Sequence, residues 1–300
     1  MHLSVWPNPG RSTDELLDLA RYADSNGWYS YWFADHYMPN TGGESIEPGD
    51  VHEVWGVLPA VAAVTNRIRL GPLVSPTSVH HPAVLANRAA TIDHISNGRM
   101  VLGLGAGWQI NEHLAYGIEL EAPKQRVDRF EEAIEIVRRL LDEGRTTFSG
   151  THYEIVDAPS DPKPVQARLP ILVGTSGPRM CRITATHAQE WNTWGGPDEA
   201  APKLATFLNA CERVEVDPDT IAKSVQALFF VTDDAERIAE HADNPRAIAG
   251  SVGQIIDTLG RYADMGFDEV IVPDFTLGSS PERRRERYEI FTHEVMPHVC

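Results

Sequence analysis

A carboxylate and an imidazole stand side by side in the stretch WFADHYMP, as Asp35 and His36. A histidine with a pKa near neutrality can transfer a proton or polarise a carbonyl group, and a neighbouring carboxylate can orient it. An Asp-His pair is more often a simple hydrogen-bonded loop contact. This pair directly follows an aromatic, strand-like run, where barrel enzymes place their chemistry. The sequence therefore supports a catalytic role and a purely structural contact for this pair equally.

Alternating glycines mark the stretch VLGLGAGWQINEH, with Gly103, Gly105 and Gly107 spaced G-x-G-x-G. A dinucleotide fingerprint needs G-x-G-x-x-G directly between a strand and a helix. Here the third glycine is misplaced, and a convincing helix begins only near Lys124. The stretch is better interpreted as a strand end, with glycines that allow close packing or leave room for a flat ligand.

A possible anion site lies in ILVGTSGPRM, where small residues from Gly174 to Gly177 follow a strand-like run. Pro178 is typical of the first turn of a helix, so backbone N–H groups would face an anion there. Arg179 would add a positive charge in that turn. In so acidic a protein, Arg179 could equally pair with a surface carboxylate.

Several other chemistries find no support. The adjacent His80 and His81 point in different directions, and neither H-x-H, HExxH nor a cysteine cluster occurs, so we predict no metal site. A G-x-S-x-G nucleophile motif is also missing. Cys181, Cys211 and Cys300 are far apart and odd in number, which favours reduced thiols over a disulfide framework.

The amino-acid composition of the chain limits the classes of partner that it can bind. The chain has 300 residues, 42% of them hydrophobic, and a formal net charge of −17. Such a charge repels nucleic acid and anionic membrane surfaces, and no basic block offsets it. Met1 to Gly10 has no signal-peptide pattern, and no apolar run would cross a bilayer. We therefore predict a cytoplasmic protein that acts on a small molecule, with neither nucleic acid nor membrane as partner.

Short apolar runs alternate with amphipathic stretches along most of the chain, which predicts parallel strands joined by helices. Eight such strands would close a TIM (β/α)8 barrel. We predict this α/β fold, with an inserted loop at Asn40 to Asp50, a small hairpin within Thr146 to Val165, and one domain over 1–300. The predicted strands are His2 to Trp6, Tyr29 to Ala34, Ile68 to Val74, Met100 to Gly105, Ile171 to Gly174, Glu190 to Trp194, Val225 to Val231 and Glu269 to Pro273.

Taken in order, these stretches resemble the bacterial luciferase-like monooxygenase superfamily, and more narrowly its branch that uses the deazaflavin coenzyme F420. The resemblance spans nearly the whole chain. It is carried by FADHYMP, by RIRLGPLVSPTSVHHP continuing to GAGWQINEHLAYGI, by RVDRFEEAIEIVRRLL, and by FSGTHYEI, PKPV and PILVGTSGPRM. The superfamily has a TIM-type barrel with inserted segments, and its members are commonly dimers, so the resemblance also implies a homodimer.

The resemblance assigns roles to residues in four places. His36 is the expected participant in proton or hydride chemistry, and Asp35 orients it beside the coenzyme ring. The third-strand bulge often holds a non-prolyl cis peptide behind the ring, although Ser75-Pro76 replaces a common Thr-Gly there. The residues implied in coenzyme binding are Asp35, Leu73, Val74, Ser75, Gly105, Gly107, Asn111, Thr175, Ser176, Gly177 and Arg179, the last four at its phosphate.

The choice of coenzyme rests on one tripeptide. Flavin mononucleotide (FMN) monooxygenases of this superfamily more often end the second strand in Glu-His-His, whereas Asp35-His36-Tyr37 is typical of the deazaflavin branch. Deazaflavin delivers hydride but activates oxygen poorly, so the resemblance implies two-electron oxidation or reduction of a small organic substrate. An FMN monooxygenase and a flavin-binding protein without turnover are the alternatives.

Overall fold

The computed structural model describes residues 1–299. Its strands are β1 His2–Trp6, β2 Ser30–Phe33, β3 Arg69–Pro72, β4 Ser75–Pro76, β5 Leu102–Gly105, β6 Arg145–Ser149, β7 Glu154–Pro159, β8 Ile171–Gly174, β9 Glu190–Trp194, β10 Ala222–Gln226, β11 Leu228–Val231, β12 Ala247–Gly250 and β13 Glu269–Pro273. Its α-helices are α1 Thr13–Ser25, α2 Val54–Val64, α3 Pro82–Ser96, α4 Ile110–Ala115, α5 Pro123–Asp142, α6 Pro178–His187, α7 Pro197–Arg213, α8 Ala235–Ala239, α9 Val252–Asp264, α10 Pro281–Ile290 and α11 Met296–Val299.

The chain divides into two compact units, of which unit 1 contains Met1–Asn8, Ser12–Trp32 and Thr175–Cys300. Its main strands are parallel and follow the order β2-β1-β13-β10-β9. The strands β11 and β12 form a separate parallel pair. A parallel sheet needs helical crossovers that cover its faces, and the alternation of strand and helix in this unit supplies them.

Unit 2 contains Pro9–Arg11 and Phe33–Gly174. Its strands β8, β5 and β4 are parallel neighbours, and Leu70 of β3 bridges to Met100 just before β5. The predicted hairpin is present as the antiparallel pair β6 and β7, and Asn40 to Asp50 is an irregular loop as predicted. On α5 the apolar stripe is buried against the core, since Phe130, Ile134, Val137 and Leu141 are each less than 5% exposed.

Eight strands were predicted, and four of them, β1, β8, β9 and β13, have the predicted bounds. The prediction of one strand from Val225 to Val231 was wrong. Two strands cover this region, with Ala227 between them: β10 pairs with β9 and β13, whereas β11 pairs with β12. Periodicity shows that a run is apolar and extended, but it does not show that the two halves have different partners.

A second correction concerns the residues after Gly107, where the sequence indicated no helix before Lys124. The structure has α4, which begins at Ile110. This helix has six residues and no side-chain cap, so neither apolar periodicity nor a capping motif marked it. The rejection of a dinucleotide fingerprint still follows from the glycine spacing, since G-x-G-x-x-G is absent.

Gly103 is required by close packing, because a Cβ atom there would clash with the carbonyl oxygen of Pro72. We expect Gly103→Ala to lower the free energy of unfolding by about 1–3 kcal/mol, as overpacking does in cores. Gly260 is the matched control: it lies inside α9, and a Cβ atom added to it would meet no atom within 4 Å. Gly260→Ala should raise stability by about 0.5–1 kcal/mol. Urea unfolding of both variants checks this, and equal effects would contradict it.

Cys181 and Cys211 are free, buried thiols, as predicted, and Cys300 lies outside the described residues. Burial raises the pKa of Cys181 to about 12, so this thiol stays protonated at neutral pH. Through residue 299, the chain forms no helix with the length and apolar character that crossing a bilayer would require.

Candidate active site

Asp35 belongs to unit 2 and lies just after the end of β2. It is only 1% exposed. One carboxylate oxygen, Oδ2, accepts hydrogen bonds from Ser75 Oγ, from His80 Nε2 at 2.9 Å and from Trp55 Nε1 at 3.2 Å. The other oxygen, Oδ1, is also buried but has no hydrogen-bond donor among residues 1–299. A buried carboxylate oxygen without a donor is costly, so Asp35 presents an acceptor that a bound group can satisfy.

From the sequence we considered His80 only as a possible metal ligand, whereas the structure places it beside Asp35. Arg88 Nη1 lies 3.4 Å from His80 Nδ1. Because a guanidinium only donates, Nδ1 accepts, and Nε2 carries the hydrogen that is donated to Asp35. His80 is thereby a positioning residue for Asp35. The adjacent His81 has a different task, since its Nδ1 accepts from Ala83 N at the beginning of α3.

His36 lies beside a second carboxylate, that of Glu112 on α4. His36 Nδ1 is 3.0 Å from Glu112 Oε1, and Glu112 Oε2 accepts from Tyr37 N at 3.1 Å. The carboxylate is 2% exposed, whereas the imidazole is 22% exposed. If Nδ1–H donates to Glu112, Nε2 is the nitrogen left for a ligand, and no described residue bonds to it. This is the arrangement of a general base with its orienting carboxylate.

Glu112 is a functional candidate that sequence reasoning missed, although a signal was present. Glu112-His113 repeats the acidic-residue-then-histidine order of Asp35-His36: the first pair lies on α4, the helix that follows β5, and the second lies just after β2. His113 is also buried, but it is fully used by the protein: Nδ1 bonds to Gln109 O at 2.7 Å and Nε2 to Ser78 Oγ at 2.9 Å. It therefore holds α4 in place.

Aromatic side chains lie at and near the His36 ring. Trp108 packs edge-on against it with 5.6 Å between ring centroids, and 56% of Trp108 remains exposed. Tyr116, also 56% exposed, donates from its hydroxyl to Tyr37 O. Burial, followed by the charge of Asp35, raises the pKa of Tyr37 well above its usual range, so the phenol stays protonated. These rings offer an apolar surface to a flat or hydrophobic ligand.

The predicted bulge lies between β3 and β4, and the cis peptide bond joins Leu73 and Val74. Two of the glycines in the GLGAG stretch pack against this region. A Cβ atom on Gly105 would lie 2.7 Å from Val74 Cγ2, and one on Gly107, whose φ is +89°, would clash with Ser78 Oγ. The glycines thus make room for neighbouring protein atoms. Direct contact of Gly105 or Gly107 with a coenzyme stays a prediction.

Asn111 is fully buried on α4 and ties this helix to the inserted loop. Its Nδ2 donates to Pro39 O at 2.8 Å and to Ser45 O at 3.2 Å. Its Oδ1 is buried and accepts no hydrogen bond from the described residues. The amide donors are therefore committed to the loop, and only the oxygen is left for the predicted role at the coenzyme.

The segment Thr175 to Arg179 belongs to unit 1, between β8 and the first turn of α6. Thr175 N donates to Asn192 O at 2.9 Å, and Trp191 Nε1 donates to Thr175 O at 2.9 Å. Ser176, Gly177 and Arg179 are exposed. Arg179 also lines a cavity of about 390 Å³ between α6 and α7. The role of this segment in phosphate binding stays a prediction.

Comparisons with known proteins cover almost the whole chain. The family described as luciferase-like monooxygenase matches residues 1–288. An F420-dependent glucose-6-phosphate dehydrogenase of Microbacterium testaceum is 28% identical over 95% of this chain and 93% of its own. An F420-dependent hydroxymycolic acid dehydrogenase of Mycobacterium tuberculosis is 30% identical over 90% of this chain and 73% of its own.

A solved structure extends the comparison to the fold. An F420-dependent secondary alcohol dehydrogenase, in complex with an F420-acetone adduct, superposes with a TM-score of 0.84. The two chains cover each other completely at 19% identity, so the likeness concerns the fold alone. It confirms the predicted α/β class and TIM-type barrel.

Proposed function

Because the chain belongs to the luciferase-like monooxygenase family, we propose that it is an oxidoreductase that uses coenzyme F420. The reaction is hydride transfer between the coenzyme and a small organic alcohol or carbonyl compound. Relatives named as F420-dependent dehydrogenases support the coenzyme and the reaction class. The observation in this chain that carries the proposal is the His36–Glu112 pair beside the buried Asp35.

The residues of unit 2 fit such a coenzyme. Asp35 Oδ1 is a buried acceptor without a donor, and a deazaflavin ring carries N–H and hydroxyl donors. Trp108 and Tyr116 are exposed aromatic surfaces next to this cluster, suited to a flat ring or an apolar substrate. When bound, F420 supplies a ring carbon that accepts or delivers hydride. Asp35 would hold the coenzyme, with Ser75, Trp55 and His80 fixing the orientation of Asp35.

His36 would move the proton. In alcohol oxidation, Nε2 accepts the hydroxyl proton of the substrate while the substrate carbon loses hydride. In carbonyl reduction, the same nitrogen returns a proton to the oxygen. In both directions Glu112 stabilises the imidazolium through Nδ1–H and holds the ring in one orientation. The site is largely buried around these groups, which strengthens the interaction between the two charges.

A titration and an assay test this proposal. The purified protein is titrated with F420 and, separately, with FMN, and binding is followed by coenzyme fluorescence. We expect saturable binding of F420 and loss of oxidised-F420 absorbance with a subset of a panel of secondary alcohols. Tight binding of FMN without binding of F420 would favour the monooxygenase alternative. Binding of F420 without turnover on any substrate would favour a binding protein.

The proposal also covers the oligomeric state, the location and the number of domains. We propose a homodimer in the cytoplasm, with residues 1–300 acting as one domain. Light scattering of the purified protein measures the oligomeric state, and a monomer at working concentrations would contradict the dimer. The support for the homodimer and the single domain is the resemblance to the family, which spans nearly the whole chain.

A further inference from the structure

A second cavity lies in unit 1 and shares no residue with the Asp35–His36 cluster. Its volume is about 390 Å³, within the size range of small-molecule sites. Three arginines and one carboxylate supply its charged lining. The residues that line it are Phe229, Phe230, Val231, Arg237, Thr276, Leu277, Gly278, Arg283, Glu286 and Arg287.

The arginines of α10 divide into two groups. Arg284 is buried and is bound by Glu15, and it donates to Gly278 O at 3.0 Å. Arg285 lies 4.0 Å over the ring of Tyr22. These two side chains serve the fold. Arg283 and Arg287, four residues apart and therefore on one face of the helix, line the cavity instead.

The guanidinium groups of Arg237, Arg283 and Arg287 make no ion pair or hydrogen bond with any residue from 1 to 299, since Arg237 and Arg283 are hydrogen-bonded to side chains only through their backbone N–H groups. This is unexpected in a chain with 43 acidic and 26 basic residues, where carboxylates are plentiful. Two like charges at positions i and i+4 also repel each other. Glu286 lines the cavity as well, but its one carboxylate leaves an excess of two positive charges among the three guanidinium groups. An anion between them would relieve that repulsion.

Apolar side chains also line the cavity. Phe230 and Val231 are partly exposed and offer hydrophobic surface, whereas Phe229 and Leu277 are buried. The hydroxyl of Thr276 donates to Phe229 O at 2.7 Å, so it is already used by the backbone. A ligand that suits this lining has an apolar body and a charged head group.

We propose that this cavity binds a small organic phosphate monoester with an apolar body. A phosphate carries between one and two negative charges at neutral pH and three acceptor oxygens, which several guanidinium groups can contact at once. A carboxylate carries one charge and two acceptor oxygens, so it neutralises less of the charge of three arginines and can contact fewer of them at once. The phosphate group contacts Arg237, Arg283 and Arg287, and the apolar body packs on Phe230 and Val231, which are partly exposed. The site is independent of the proposed redox function, so either proposal can fail alone.

Calorimetric titration of the full-length protein with phenyl phosphate tests the site. We expect saturable binding that weakens as salt is raised, because the interaction is ionic. Benzoate and inorganic phosphate are the comparison ligands, and each should bind at least about tenfold more weakly, since one has less charge and the other has no apolar body. Failure of the wild-type protein to bind phenyl phosphate, or equal affinity for benzoate or inorganic phosphate, would overturn the proposed ligand class.

Variants locate the binding. Arg283→Gln and Arg287→Gln should each weaken phenyl phosphate binding by about tenfold or more, and the double variant further. Arg285→Gln is the matched control, since this arginine lies on the same helix but stacks on Tyr22. The affinity of this variant for phenyl phosphate should equal that of the wild type. Circular dichroism verifies folding, and F420 binding should be unchanged in all variants. Unchanged phenyl phosphate affinity in the folded double variant would overturn the site.

Discussion

His36→Ala is expected to lower kcat by about 10²–10⁴-fold, the range lost when a general acid or base is removed. His36 Nε2 is the nitrogen left to exchange a proton with the substrate, since Nδ1 lies 3.0 Å from Glu112. Coenzyme affinity should change little, because the buried acceptor proposed for F420 is Asp35 Oδ1. Steady-state rates of F420 reduction and a fluorescence titration with F420 measure the two quantities separately.

The control for this substitution is His298→Asn, which alters an exposed histidine in unit 1. Its kcat should equal that of the wild type. A His36→Ala enzyme with an unchanged rate would remove His36 from the mechanism. A rate loss that only follows a matching loss of F420 affinity would make His36 a binding residue rather than a proton-transfer residue.

Glu112→Gln should lower kcat by about 10–10²-fold with a smaller effect on F420 affinity, as the loss of an orienting carboxylate does. The two oxygens of Glu112 contact His36 Nδ1 and accept from Tyr37 N. An amide has one oxygen and one NH2 group, so it cannot accept at both places. It also carries no charge with which to stabilise an imidazolium. Steady-state kinetics with the same alcohol measure the effect.

A double variant tests whether the pair acts as a unit. If Glu112 acts through His36, then Glu112→Gln should cost little further rate in a His36→Ala background, because residues that act together are not additive. Glu119→Gln is the control, because Glu119 is exposed and lies close to Glu112 in the sequence. It should leave kcat unchanged. Independent, additive losses in the double variant would show that Glu112 has a separate role, such as holding the Tyr37 backbone.

Much of the fold is predictable from local patterns. Strands such as His2–Trp6 and Glu269–Pro273 appear as apolar runs with clear ends, and the structure has the same bounds. Pro82 begins α3, and Asn97 and Gly98 end it in the left-handed region, at φ of 56° and 84°. These features depend on residues within a few positions of each other, so the sequence displays them directly.

The candidate site is predictable in part. Asp35 and His36 stand out because a carboxylate and an imidazole follow a strand. The partners that define their chemistry are distant in the sequence: Glu112 is 76 residues from His36, and His80 is 45 residues from Asp35. The glycines after Val101 suggested space for a ring, whereas Gly105 and Gly107 first make space for Val74 and Ser78.

Residue type and spacing along the chain therefore determine the strands, the helix ends and the presence of an acid–histidine pair, because these depend on short-range geometry. Only the tertiary structure decides which oxygen of Asp35 is satisfied and which is left without a donor. It also decides that Glu112, rather than Asp35, contacts His36, and that Arg283 and Arg287 face a cavity while Arg284 is buried. These are choices of partner, and hydrogen bonds and ion pairs form between groups that the fold brings within about 3 Å, whatever their separation in the sequence.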